Sequence, residues 1–244
     1  MFSVVIPCYN LNEEGLQLTK NAIGTFYPLD NLEAASNVEL ILVDNDSKVG
    51  GGYLREQANT YVRNWKNLGY AKAVNQGIKL ATNRYVAIAN SDIRVSPNWQ
   101  QITQEIFDQN TDIATLHFRM TDYDVPFAYG VKTAITGKER WCTGSFFVID
   151  KEKQLLFDER FFNSYDDWDY QLRARQSGWN TAYTNRACYQ HNHSFTQKLI
   201  PEREENNKRN AEYFKQKHGR YAEEIFAEQF PEQITQDYRG GFEI

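Results

Sequence analysis

Three apolar, β-branched runs constrain this chain most: residues 3–7 (SVVIP), 38–43 (VELILV) and 85–89 (YVAIA). Runs of this length with little polar alternation read as strands buried on both faces, the signature of a parallel sheet. Stretches with helical spacing lie between them. Residues 12–26 carry Leu16, Ala22, Ile23 and Phe26 on one face, with Pro28 just beyond, and residues 71–81 repeat apolar side chains at Val74, Ile78 and Ala81. Residues 61–64 supply a further strand, and Gly50–Gly52 reads as a flexible turn. This alternation predicts crossover helices packed on a parallel sheet, with ligands at the carboxyl ends of its strands.

The remainder is less regular. Residues 99–107 read as a helix, 113–119 and 145–149 as strands, 168–176 as a helix closed by Gly178, and 181–189 as a last strand. Residues 202–217 read as a charged helix ended at Gly219, with Ala211 and Phe214 as weak inward anchors. No repeat or low-complexity linker divides residues 1–244, so one domain is expected. A net charge of −5 without a Lys/Arg-rich block argues against a nucleic-acid partner. No run of about 18 apolar residues is present, so no transmembrane segment is expected. The N-terminus enters a strand at once, which does not read as a secretory leader. Cys8, Cys142 and Cys188 are scattered; they read as small core residues, with a cytoplasmic location.

The strand ends carry the chemistry. The first run ends in Pro7-Cys8-Tyr9-Asn10, the second in Asp44-Asn45-Asp46-Ser47 and the third in Asn90-Ser91-Asp92. Singly, such residues cap helices and build turns. Three clusters on one sheet edge form a polar rim able to accept from a base or ribose, or to hold a hard cation. A further acidic cluster, Tyr165-Asp166-Asp167-Trp168-Asp169, opens a helix, where the helix dipole and capping also favour acids. Asp169 and Arg173, one turn apart, read as an ordinary surface pair.

The ordered set VVIPCYN, ILVDNDS, NLGYAKAVNQGIKLA, YVAIANSD, CTGSFFVID, FDERFFNSYDDWDYQLR and HNHS resembles the family 2 glycosyltransferases of the GT-A fold, over roughly residues 2–195. NAEYFKQKHG also looks like the C-terminal helix of bacterial polysaccharide members. The resemblance implies a Rossmann-like α/β fold with a mainly parallel, mixed central sheet flanked by helices. Its nucleotide-binding half would span about 1–95, its acceptor and catalytic half about 96–200, and a C-terminal helical extension about 201–244. It implies that Pro7, Tyr9 and Asn10 border the nucleotide, Asp44 meets the base and Asp46 the nucleoside. Asn67, Gly69 and Lys72 would lie near the ribose and diphosphate, together with Asn90 and Ser91. Asn90 replaces the first acid of the metal-binding Asp-X-Asp motif, as in many rhamnosyltransferases, so Asp92 is that motif's one carboxylate. His191, rather than His193, matches the histidine that helps hold Mn²⁺ or Mg²⁺. The second acid of the pair, Asp167, maps onto the general base. Trp141, Gly144, Ser145, Asp166 and Trp168 would line the acceptor and donor-sugar side.

The implied reaction is inverting transfer of a sugar from a UDP- or dTDP-linked donor, rhamnose among the candidates. The acceptor would be the hydroxyl of a saccharide or lipid-linked saccharide, in surface polysaccharide or glycoconjugate assembly. Lipid-linked acceptors would bring the protein to the inner face of a membrane by peripheral contact. Two alternatives stay open: a nucleotidyltransferase of similar layout, against which the absence of a glycine-rich loop after the first strand argues, and a non-catalytic nucleotide- or carbohydrate-binding protein.

Overall fold

The computed structural model describes residues 1–27, 37–123, 125–136, 144–192 and 202–229. The N-terminal half alternates as expected: β1 (Phe2–Cys8), α1 (Glu13–Phe26), β2 (Val38–Asn45), α2 (Gly51–Gln57), β3 (Thr60–Asn64), α3 (Tyr70–Leu80) and β4 (Tyr85–Ala89). There follow β5 (Ile93–Val95), α4 (Trp99–Gln109), β6 (Ile113–Asp122), β7 (Thr133–Thr136) and β8 (Phe146–Asp150). The chain continues through α5 (Asp166–Gln176), β9 (Asn180–His191), α6 (Arg203–His218) and α7 (Ala222–Gln229). None of these helices is long and apolar enough to cross a membrane.

The described strands form one sheet in the order β3-β2-β1-β4-β8-β6-β9-β5, with β7 also paired to β9. Parallel pairing joins β3, β2, β1 and β4, and joins β6 to β9. The sheet is more mixed than expected. Strand β8 lies between β4 and β6 and runs against both, and β5 and β7 run against β9. Both faces are covered. Val4 and Ile6 of β1 face a core that includes Ile23 and Phe26 of α1 and Trp99, Ile102 and Ile106 of α4. Val5 lies on the opposite side with Ile41, Val43, Val86 and Ile88, under Ala71, Val74 and Ile78 of α3. The alternation of sides along β1 follows from the two-residue repeat of a strand. It explains why these runs are mostly apolar.

Several expectations needed correction. Gly50–Gly52 is not a loose turn. Gly50 takes a left-handed φ of +82° as the cap of α2, a seven-residue helix whose buried anchor is Leu54. The Asp169–Arg173 pair forms, at 2.7 Å, but it is not a surface pair. Asp169 is fully buried and also meets Lys217 at 2.5 Å and His218 at 2.9 Å, both from the end of α6. Helix α6 thus packs on α5, with Phe214, Leu172, Phe161 and Ala222 in a separate small core.

Candidate active site

The carboxyl ends of β1, β2 and β4 and the start of α5 enclose a cleft of about 560 Å³. Of the residues singled out from sequence, Pro7, Tyr9, Asn67, Asn90, Ser91, Asp92, Gly144, Ser145, Asp166, Asp167, Trp168 and His191 line it. Asn10, Asp44, Asp46, Gly69 and Lys72 are not among its lining residues. Trp141, Cys142 and His193 lie outside the described residues.

Sheet pairing brings Asp92 and His191 together. Ile93 of β5 lies opposite His191 of β9, and the N–H of Asn192 donates to the carbonyl of Asp92 at 2.9 Å. Asp92 Oδ1 stands 3.2 Å from Nε2 of His191, and both residues are buried. The other ring nitrogen, Nδ1, is 3.3 Å from the Ser145 hydroxyl, which fixes the ring plane. The neighbouring Asn90 Oδ1 is buried and has no hydrogen-bond partner among the described residues. A carboxylate, an imidazole and an orphaned amide oxygen make a mixed donor set. Mn²⁺ accepts such a set, and a hard cation usually completes it with water and substrate phosphate.

Asp166 and Asp167 line the same cleft. Tyr165, left-handed at φ +65°, turns the chain into α5. Asp166 Oδ1 accepts from the Asp167 N–H at 2.9 Å, while its buried Oδ2 has no partner among the described residues. Asp167 Oδ1 accepts from the Trp168 N–H at 2.9 Å and Oδ2 from the Gly144 N–H at 3.0 Å. Burial pushes both carboxyls above the ordinary aspartate range, and the charge of Asp167 pushes Asp166 further. Burial and mutual repulsion thus favour a proton on the pair, and the charge of Asp167 weighs on Asp166. Tyr70 lies against the same group, its hydroxyl donating to the Gly144 carbonyl at 3.1 Å. Burial and the two aspartates keep that phenol protonated.

The strand-end acid Asp44 departs from expectation. It is fully buried and already engaged: Oδ1 accepts from the Ser47 N–H at 2.8 Å, and Oδ2 from the Tyr61 hydroxyl at 2.7 Å and from Arg63. Asp46 pairs with Lys48 at 2.7 Å and lies 3.6 Å from Arg63. These acids build the rim by locking Arg63, which sits in register with Asp44 on β3. Asn10 ties the same loops, accepting from the Thr19 hydroxyl at 2.7 Å and from the Lys48 N–H at 2.7 Å. Gly69 caps α3 at φ +86°, and a Cβ there would lie 2.8 Å from the Phe162 ring. Lys72 sits half-buried in the first turn of α3.

Sequence reasoning missed Asn45, Tyr70, Tyr165, Asn207 and Glu223, which also line the cleft. Asn45 lay within a quoted cluster and orients Asn67 at 2.8 Å. Asn207 comes from α6, read from sequence as a charged helix, and Glu223 from α7, beyond the Gly219 at which that helix was expected to end. Cys8 borders the cleft, but burial and Asp44 raise its thiol, so it is no nucleophile.

Comparison with known proteins gives the geometry a context. A sequence model described as "Glycosyl transferase family 2" matches residues 3–209. "Glycosyltransferase GlyG" of Streptococcus pneumoniae serotype 4 is 27% identical over 182 residues, covering 71% of this chain and 53% of that protein. The chain thus spans about half the length of this curated relative. Crystal structures of S. aureus TarS 1–349 in complex with UDP and with UDP-GlcNAc superpose with TM-scores of 0.59 and 0.52. Their identities are 18% and 16%; each match covers 77% of this chain, and 59% and 57% of those chains. The likeness shows a shared GT-A fold, with its curled mixed sheet between helices.

Proposed function

The chain belongs to glycosyl transferase family 2, and we propose that it transfers a sugar, with inversion, from a nucleoside diphosphate donor to an acceptor hydroxyl. The observation that carries this reading is the placement of Asp167 in one cleft with Asp92 and His191. A base and a site for the departing diphosphate are the two needs of a single displacement at an anomeric carbon. The UDP and UDP-GlcNAc complexes of TarS, which shares this fold, support a nucleotide-sugar ligand.

In this reading, Pro7, Tyr9 and Asn67 border the nucleoside, and the Asp44–Arg63 pair holds that wall in shape. Asp92, His191 and the Asn90 amide oxygen would hold Mn²⁺ or Mg²⁺, which as a Lewis acid offsets the charge that grows on the leaving diphosphate. The residues fit such an ion, because a cleft bearing the carboxylates of Asp92 and Asp167 needs a countercharge to admit a diphosphate. Asp167 takes the proton of the acceptor hydroxyl as its oxygen attacks. Asp166 retains the shared proton, which leaves Asp167 as the ionised member. Gly144 and Trp168 fix the base through their backbone N–H groups. The donor is a UDP- or dTDP-linked hexose or deoxyhexose, rhamnose included. The acceptor is a saccharide or lipid-linked saccharide of a surface polysaccharide, met on the cytoplasmic side of a membrane.

The test is to supply UDP- and dTDP-sugars with Mn²⁺ and follow release of the nucleoside diphosphate, with NMR to assign the product's anomeric configuration. Retained configuration would overturn the inverting mechanism, and a chain that binds donor without ever releasing diphosphate would be a binding protein.

A further inference from the structure

Beyond Asp167, the cleft is walled by the C-terminal helices. Tyr165 is a non-glycine residue at φ +65°, a conformation that persists only where its surroundings hold it. Three contacts do so. Its ring lies 5.3 Å from that of Trp168 and 6.0 Å from that of Phe214, and its hydroxyl donates to Glu223 Oε1 at 2.8 Å. Glu223 stands in the first turn of α7, and Asn207 reaches the same cleft from α6. The fold therefore spends backbone strain to present an aromatic pair beside a carboxylate and a carboxamide.

That combination is the chemistry of sugar recognition. Aromatic faces cover the C–H side of a ring, a carboxylate accepts from two hydroxyls, and a carboxamide both donates and accepts. Asp166, 5% exposed and lining the cleft, has a buried Oδ2 without a partner among the described residues. The same wall carries the carboxylates of Asp167 and Glu223, which repel an anionic ligand. Resting on the transferase reading above, we infer that Tyr165, Asn207 and Glu223 form the acceptor subsite. We infer further that it takes an uncharged saccharide with adjacent hydroxyls, in preference to one bearing phosphate or carboxylate.

The probes are methyl β-glycosides of glucose, galactose and N-acetylglucosamine, each compared with its 6-phosphate, at fixed nucleotide sugar and Mn²⁺. Acceptor-stimulated release of nucleoside diphosphate is expected with an uncharged glycoside, whose 6-phosphate should be at least about tenfold poorer in kcat/KM. Glu223→Gln and Asn207→Ala should each raise the acceptor KM about tenfold, the scale of one lost hydrogen bond to a charged or buried partner. In both, kcat at saturating acceptor and donor Kd should stay within about twofold, the mark of uniform ground-state binding. Glu223→Gln should also narrow the gap between the glycoside and its phosphate. Equal or better use of the 6-phosphates would overturn the inference. So would an unmoved KM in both variants, or donor binding and slow hydrolysis that no uncharged glycoside accelerates. No donor binding and no diphosphate release under any condition would instead overturn the transferase reading itself.

Discussion

The backbone N–H of Gly144 donates to Oδ2 of Asp167 at 3.0 Å, and the two residues are so close that a Cβ on Gly144 would lie 2.7 Å from Cβ of Asp167. With the Trp168 N–H on Oδ1, both carboxylate oxygens are held from the backbone. Asp167→Asn therefore has a structural cost as well as a chemical one. Its amide nitrogen would face an N–H, which costs about 1–3 kcal/mol. The protein should still fold and bind donor, with turnover down by at least about 10²-fold. Asp166→Asn keeps its acceptor for the Asp167 N–H and should be milder. Steady-state kinetics on both variants decide the assignment; a dead Asp166→Asn beside a normal Asp167→Asn would swap the roles.

The acid limb of the pH–rate profile should lie well above the ordinary aspartate range, because activity needs Asp167 ionised and burial raises its pKa. Asp166→Asn removes a neighbouring acid and should shift that limb. The pair also contributes to stability with a definite sign. Its folded-state pKa values are raised, so its contribution is fully present below the unfolded value near 3.8 and is lost as pH rises through the folded values. Relative to wild type, Asp166→Asn should lose less stability across that interval in thermal melts. An identical pH dependence in the two proteins would refute the shared proton.

Turnover should require a divalent cation. Asp92→Ala removes the motif's carboxylate and should abolish nearly all turnover, together with the Mn²⁺-dependent tightening of nucleoside diphosphate binding. His191→Ala should be partly restored by excess Mn²⁺. Calorimetric titration of the nucleotide with and without Mn²⁺ reads both effects; full activity in excess chelator would exclude the ion.

Asp44→Ala should damage the fold before it damages binding. It removes the buried acceptor shared by the Tyr61 hydroxyl and Arg63, which keeps only Asp46 at 3.6 Å and the Ser47 carbonyl, and losing a buried acceptor costs about 1–3 kcal/mol. Urea denaturation should show a clearly lowered midpoint. An unchanged midpoint with lost nucleotide affinity would restore Asp44 to direct contact with the base.

The parallel half of the sheet was legible because β1, β2 and β4 bury both faces, so their sequences are largely apolar, Ser3 and Glu39 apart. The start of α5 was legible because consecutive acids favour a helix N-terminus, whereas the role given to Asp167 came from the family resemblance. Partnerships set by strand register were not. Asp44 looks free in the sequence, and only the β2–β3 pairing places Arg63 beside it. Helix α2 was hidden because its glycines read as a turn and one buried leucine holds it. Tyr165 and Glu223 meet through helices joined by tertiary packing, for which local sequence carries no signal.

The buried Asp169 ties the helix that bears Asp167 to Lys217 and His218, beyond residue 209, where the family match stops. Shortening the chain at that point would strip Asp169 of Lys217 and His218 and of the Phe214 packing beside α5, leaving only Arg173 of its three basic partners. The cooperative unit is therefore longer than the recognisable sequence. Amide-exchange protection in α5 and α6 should rise and fall together, as a single foldon, and the catalytic helix would inherit its rigidity from the distal part of the chain.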